Sequence, residues 1–156
     1  MGDERFKITT VWTGNTGSGT SSYDGYQRAH EFRAKGKPAL PGSSAPMYQG
    51  DASRYNPEEL LIAAASACHM LWYLHLCAQT GIVVESYEDS AFGDLTIHPA
   101  GSGEFTRITL CPRVTIRAGS DPEIAQDLHT EASSMCFIAR SLKCDVLHKA
   151  AITVAG

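Results

Sequence analysis

The run Asn56-Pro57-Glu58-Glu59-Leu60-Leu61-Ile62-Ala63-Ala64-Ala65-Ser66-Ala67-Cys68-His69-Met70-Leu71-Trp72-Tyr73-Leu74-His75-Leu76-Cys77 decides how the rest of the chain is read. Asn is a preferred N-cap, Pro57 fits the first turn, and Glu58 and Glu59 lie at the positive end of a helix dipole. The spacing predicts one helix from Asn56 to Gly81. Its apolar residues fall on every side, which predicts burial all round. Residues 60–78 are also long enough to cross a bilayer, but His69 and His75 would then sit in hydrocarbon. A core helix is therefore expected, and no membrane.

Upstream, residues 6–12 alternate with β-branched positions, a Gly-rich break follows at 14–19, and residues 26–33 read as a second strand. A hairpin with a long loop is expected. Residues 36–55, dense in Gly, Pro, Ser and Ala, read as a surface loop bordering a site. Downstream, residues 82–87, 91–97 and 105–116 have strand character and predict a three-strand meander, its last two strands joined across Pro99–Gly103. Asp121-Pro122-Glu123 opens a helix to about Ser133, residues 136–142 form a short third helix, and a final strand lies within 146–154. This order predicts the α+β class: antiparallel sheet on helices, one domain over residues 1–156.

With 156 residues, 43% of them apolar, the chain can bury one core. Seventeen acids against thirteen Lys and Arg leave no basic stripe, so nucleic acid is not an expected partner. The polar start, Met-Gly-Asp-Glu-Arg-Phe-Lys, lacks the apolar centre of a secretory signal, and a cytosolic protein is expected. Phe6 stands where a myristoylation motif prefers Ser or Thr.

Five cysteines, Cys68, Cys77, Cys111, Cys136 and Cys144, make an odd set without a CxxC pair. Cys68 lies mid-helix, where thiols are commonly packing. Cys136 stands at the start of a helix, where free N–H groups favour a thiolate. Cys77, nine residues after Cys68, falls on the opposite helix face and cannot pair with it. Cys144 lies eight residues from Cys136, about 12 Å if one helix joined them. Cys111 has no evident partner. His69 and His75 are six apart, not the three or four that share a face, and His30, His98, His129 and His148 read as scattered singly. No metal site is expected. Glu59 is placed to reach back to the Asn56 amide as a capping box, whereas Glu58 has only dipole compensation to explain it.

Taken together, Asn56-Pro57-Glu58-Glu59-Leu60 leading through Ala-Ala-Ala-Ser-Ala to Cys68, and Met135-Cys136-Phe137-Ile138-Ala139-Arg140-Ser141-Leu142, resemble the OsmC/Ohr family of organic hydroperoxide reductases. The resemblance implies an intertwined α+β homodimer with the long helices at its centre. It also implies that Cys68 attacks the peroxide, becomes a sulfenic acid and condenses with Cys136. Glu58 matches the family's Glu before the long helix, which with an Arg holds the thiolate. Arg28, within Tyr26-Gln27-Arg28-Ala29-His30, is the Arg the resemblance favours, with Arg54 the alternative. His69 stands where better understood branches have Phe, and Phe137 where they have Pro. The implied substrate is an alkyl or lipid hydroperoxide and the implied reductant a dithiol such as dihydrolipoamide on a lipoylated protein, with no metal, flavin or haem. Two other classes fit the same residues: a redox-responsive binding protein, and a carrier of a small apolar ligand whose cysteines only pack.

Overall fold

The computed structural model describes residues 2–156. The chain divides into two compact units, the first ending at Leu60 and the second running from Leu61 to Gly156.

The first unit holds β1 (Thr9–Trp12), β2 (His30–Arg33) and β3 (Leu40–Gly42) in one antiparallel sheet of order β1-β2-β3. The expected hairpin is present with shorter strands, its long loop braced by Trp12 Nε1 donating to the Gln27 carbonyl at 2.8 Å. Gly14 is required there, because a Cβ would lie 1.8 Å from that same carbonyl oxygen. The stretch read as surface loop, 36–55, contains β3 and a 3-10 turn, Pro46–Tyr48. Leu40-Pro41-Gly42 has too little alternation to read as a strand, and its partner β2 supplies the order.

The helix α1 runs Pro57–Thr80. Its start is a reciprocal capping box: Asn56 Oδ1 accepts from the Glu59 amide at 2.9 Å, and Glu59 Oε2 accepts from the Asn56 amide at 3.1 Å. Its end is Gly81 at φ +77°, with the Ile82 N–H returning to the Cys77 carbonyl. Burial all round is not observed within one chain. Ala65, His69, Tyr73, Leu76 and Cys77 form one buried face, while Leu71 is 63% exposed.

In the second unit, β4 (Val84–Asp89), β7 (Pro112–Ile116) and β9 (Ala151–Val154) form one sheet, and β5 (Phe92–Ile97), β6 (Gly103–Leu110) and β8 (Asp145–His148) another. The β5–β6 hairpin is as expected, but the meander is not, because β4 pairs with β7. The run 105–116 is two strands, broken where Pro112 has no N–H to give and the Cys111 N–H goes to Asp89 Oδ1 at 2.6 Å. The last strand breaks likewise between His148 and Ala151, at the same level, since β6 pairs parallel with β8 and β7 parallel with β9. The sheets are therefore mixed rather than purely antiparallel. The crossover to β8 and β9 carries α2 (Pro122–Met135), capped by Asp121, and α3 (Phe137–Ser141). Tyr73, Leu76 and Cys77 of the buried α1 face pack with Ile82, Val114, Ile116, Ala125, Leu128 and Ala132 as the core.

Candidate functional site

Cys68 and Cys136, 68 residues apart in sequence, come together in the second unit. Cys68 projects from the middle of α1, and Cys136 is the N-cap of α3, where its sulfur accepts from the Ala139 amide at 3.4 Å. Close by each thiol in sequence, Trp72 and Phe137 meet edge to face, ring centroids 5.7 Å apart, which fixes α3 against α1. The two sulfurs are unlinked, and their surroundings differ. Cys136 is 1% exposed, whereas Cys68 is half-buried.

Burial pushes the Cys136 thiol up to about 11, against the pull of the Ala139 amide, and the neighbouring Cys68 thiol pushes in the same direction as burial. Cys136 is thereby held as a thiol beside Cys68. A reagent arriving from solvent meets Cys68 first and finds Cys136 behind it as a protonated thiol. Such a pair can pass two electrons to an acceptor and close a disulfide.

The remaining thiols stand elsewhere. Cys77 is buried in the core on the face opposite Cys68, its thiol pushed up by burial. Cys111 occupies the β6–β7 break. Cys144 follows the end of α3 at Ser141, so no helix joins it to Cys136.

In the first unit, Arg28 is held between two rings, its guanidinium carbon 4.1 Å from the Tyr26 centroid and 4.4 Å from that of Tyr23. Its Nη1 donates to the Tyr26 carbonyl at 2.6 Å and Nη2 to the Tyr23 carbonyl at 2.8 Å. Arg54 is more loosely kept, with Nε 3.6 Å from Asp51 Oδ2. Both candidate arginines line one cleft of about 330 Å³. Glu58 lies in the first turn of α1, half-buried.

Sequence reasoning missed a cluster. His69, weighed only against His75, and His129 and His148, read as scattered singly, converge in the second unit, with ring centroids 5.3, 5.6 and 5.9 Å apart. His69 Nε2 lies 3.0 Å from His129 Nδ1, and Tyr73 stacks on His129 at 3.8 Å. Burial holds His69 down to about 4 and His129 down to about 3, which keeps both rings neutral. His69 and Tyr73 at i and i+4 signal one helix face, but nothing in sequence spacing points to residues 129 or 148. Among the described residues no group of three such side chains is arranged to hold a metal ion.

Comparison with known proteins identifies the family and the fold. A family model described as OsmC-like protein matches residues 50–150, and the chain belongs to that family. It is similar to an OsmC-like protein of unknown function from Vibrio cholerae, with 28% identity, TM-score 0.86, and 96% of this chain and 100% of that one covered. Its fold is also that of an organic hydroperoxide resistance protein OsmC from Legionella pneumophila, with 17% identity, TM-score 0.65, and coverage of 99% and 100%. The organic hydroperoxide resistance protein OhrB of Bacillus subtilis is similar too, with 20% identity, TM-score 0.59, and coverage of 94% and 96%. No match is found among curated proteins.

Proposed function

We propose that this protein is a thiol-dependent peroxidase that reduces organic hydroperoxides. The observation that carries the reading is the pairing of half-buried Cys68 with buried, protonated Cys136. The Cys68 thiolate attacks the outer peroxide oxygen, the O–O bond breaks, and the alkoxide leaves as alcohol after taking a proton. Cys68 is then a sulfenic acid. The Cys136 sulfur attacks it, its proton leaves with the hydroxyl as water, and a Cys68–Cys136 disulfide forms. A dithiol, for which dihydrolipoamide on a lipoylated protein is our candidate, restores both thiols by exchange.

Family membership supports giving Glu58 and an arginine, Arg28 or Arg54, the task of holding the thiolate and orienting the peroxide. The rigid seat of Arg28 suits a fixed guanidinium, whereas Arg54 suits one that moves. The exposed apolar stripe of α1, formed by Ala63, Ala67, Leu71 and Ala78, supports a homodimer built on these helices. The reading is tested by adding an organic hydroperoxide to the reduced protein: two thiols per chain should be lost and a peptide map should join Cys68 to Cys136. Steady consumption of peroxide with dihydrolipoamide would separate an enzyme from a redox-responsive binder, which would oxidise once and stop.

A further inference from the structure

The cleft that holds Arg28 and Arg54 lies wholly within the first unit, and its lining includes Gln27, Ser43, Gln49 and Asp51. Arg28 brings a guanidinium that cannot swing away. Two of its five N–H donors are spent on the Tyr23 and Tyr26 carbonyls, and the flanking rings orient the plane without neutralising the charge. Asp51 offsets the charge of Arg54 only in part and leaves its N–H donors unspent. Its Oδ1 is taken by the Ser53 amide at 2.8 Å and the Ser53 hydroxyl at 2.6 Å, and the 3.6 Å ion pair is too long for a direct hydrogen bond. Asp24 reaches only the Gln49 amide, at 2.6 Å.

Ser43 adds a second kind of donor. It is 1% exposed, its oxygen accepts from the Asp51 amide at 3.0 Å, and its own proton has no acceptor among the described residues. A buried hydroxyl that accepts without donating is under-satisfied, and the cleft it lines is where an acceptor can enter. We propose that this cleft binds an oxyanion, a phosphate or the carboxylate of a small organic acid, through Arg54, the free donors of Arg28 and the Ser43 hydroxyl. A planar fork and a hydroxyl donor match the geometry of either group, and about 330 Å³ accommodates it. The inference rests on first-unit residues alone, so failure of the thiol chemistry in Cys68 variants would leave it standing.

The test is nuclear magnetic resonance of the arginine Nε–H groups in the full chain, titrated separately with inorganic phosphate and with butyrate against sodium chloride of equal ionic strength. The Arg28 and Arg54 signals should shift saturably with at least one of the two, and the one saturating at lower concentration identifies the source of the anion. Arg54→Gln should weaken binding about tenfold and Ser43→Ala about threefold, as expected for loss of one charge-assisted and one neutral hydrogen bond. Asp51→Asn should tighten it, since a carboxylate leaves the lining while the Ser53 bonds can persist. Shifts that never saturate, or that chloride reproduces, would overturn the proposal. So would an Asp51→Asn chain that keeps its backbone spectrum and binds more weakly.

Discussion

The imidazole of His69 on α1 meets that of His129 on α2 through one hydrogen bond, Nε2 to Nδ1 at 3.0 Å, in a core where both rings are nearly inaccessible to water. The contact needs one ring to supply N–H and the other a lone pair, so it is lost once both rings are protonated. The other side of the pair is already compromised, because His129 Nε2 is buried without a partner. Asp89 favours a charge on His69, yet burial and the His148 ring outweigh it.

A pH dependence follows directly. Both rings titrate in the folded chain well below the ordinary histidine value of 6.5, His69 at about 4 and His129 at about 3. As pH falls below 6.5 the unfolded chain takes up two protons that the folded chain refuses, so stability is full above that value and declines toward pH 4. The loss should reach a few kcal/mol for the pair, since each tenfold weakening of a ring's proton affinity on folding is worth about 1.4 kcal/mol. Urea unfolding at pH 7 and pH 4.5 reads it. His129→Phe, which can still stack on Tyr73, should flatten the slope by roughly half; an unchanged slope would place the acid sensitivity elsewhere.

Tyr73 is fully buried and donates its hydroxyl proton to the Ala125 carbonyl at 3.0 Å, tying α1 to α2. Tyr73→Phe keeps the ring stack and should cost about 1 kcal/mol, the usual net worth of one neutral hydrogen bond. Tyr73→Ala should cost about 3–5 kcal/mol through the cavity it leaves. Chemical denaturation separates the two, and near-equal losses would mean that the hydroxyl rather than the ring holds the helices together.

The end of α1 offers a cleaner case. A Cβ built on Gly81 meets no atom within 4 Å, so space is not the constraint; φ of +77° is. Gly81→Ala should cost about 1 kcal/mol, the strain of placing an L side chain in the left-handed region. A neutral result in thermal unfolding would show that the turn relaxes.

These relationships also mark where the sequence could be read and where it could not. The start of α1 was legible because Asn56, Pro57 and Glu59 act on one another within four residues, and the capping box forms as spaced. The β5–β6 hairpin was legible for the same local reason. The breaks at 111 and 149–150 were not, because the β6 break follows from Asp89 capturing the Cys111 amide and from parallel pairing with β8 and β9, partners dozens of residues away. The histidine cluster joins α1, α2 and β8, and each member alone carries no signal. Cys68 and Cys136 were singled out through family resemblance rather than spacing, and their adjacency is a fact of the fold.

The thiol assignment predicts unequal variants. Cys68→Ser should abolish peroxide reduction, since Cys136 is buried and protonated, while Cys136→Ser should react once and stop as a sulfenic acid. Cys77→Ala, Cys111→Ala and Cys144→Ala should each keep turnover. A dimedone-type sulfenic acid probe and a peroxide consumption assay check all five, and turnover surviving in Cys68→Ser would remove the basis of the mechanism.

The last expectation concerns Glu58. It and Cys68 stand ten residues apart on the one helix α1, which separates them by about 15 Å along the axis, several times the reach of a glutamate side chain. Within one helix they cannot meet. If Glu58 holds the thiolate, it must serve the Cys68 of a second chain whose α1 runs antiparallel against the exposed stripe that includes Leu71. Each site would then be built from two chains, and dimerisation would be a condition of activity rather than an aid to stability. Glu58→Ala and Cys68→Ser homodimers should both be inactive. Co-expressed as purified heterodimers they should recover about half the wild-type activity per dimer, because one of the two sites combines the intact Glu58 of one chain with the intact Cys68 of the other. Heterodimers that stay dead would refute the shared site, and so would a monomeric form that turns over at full rate.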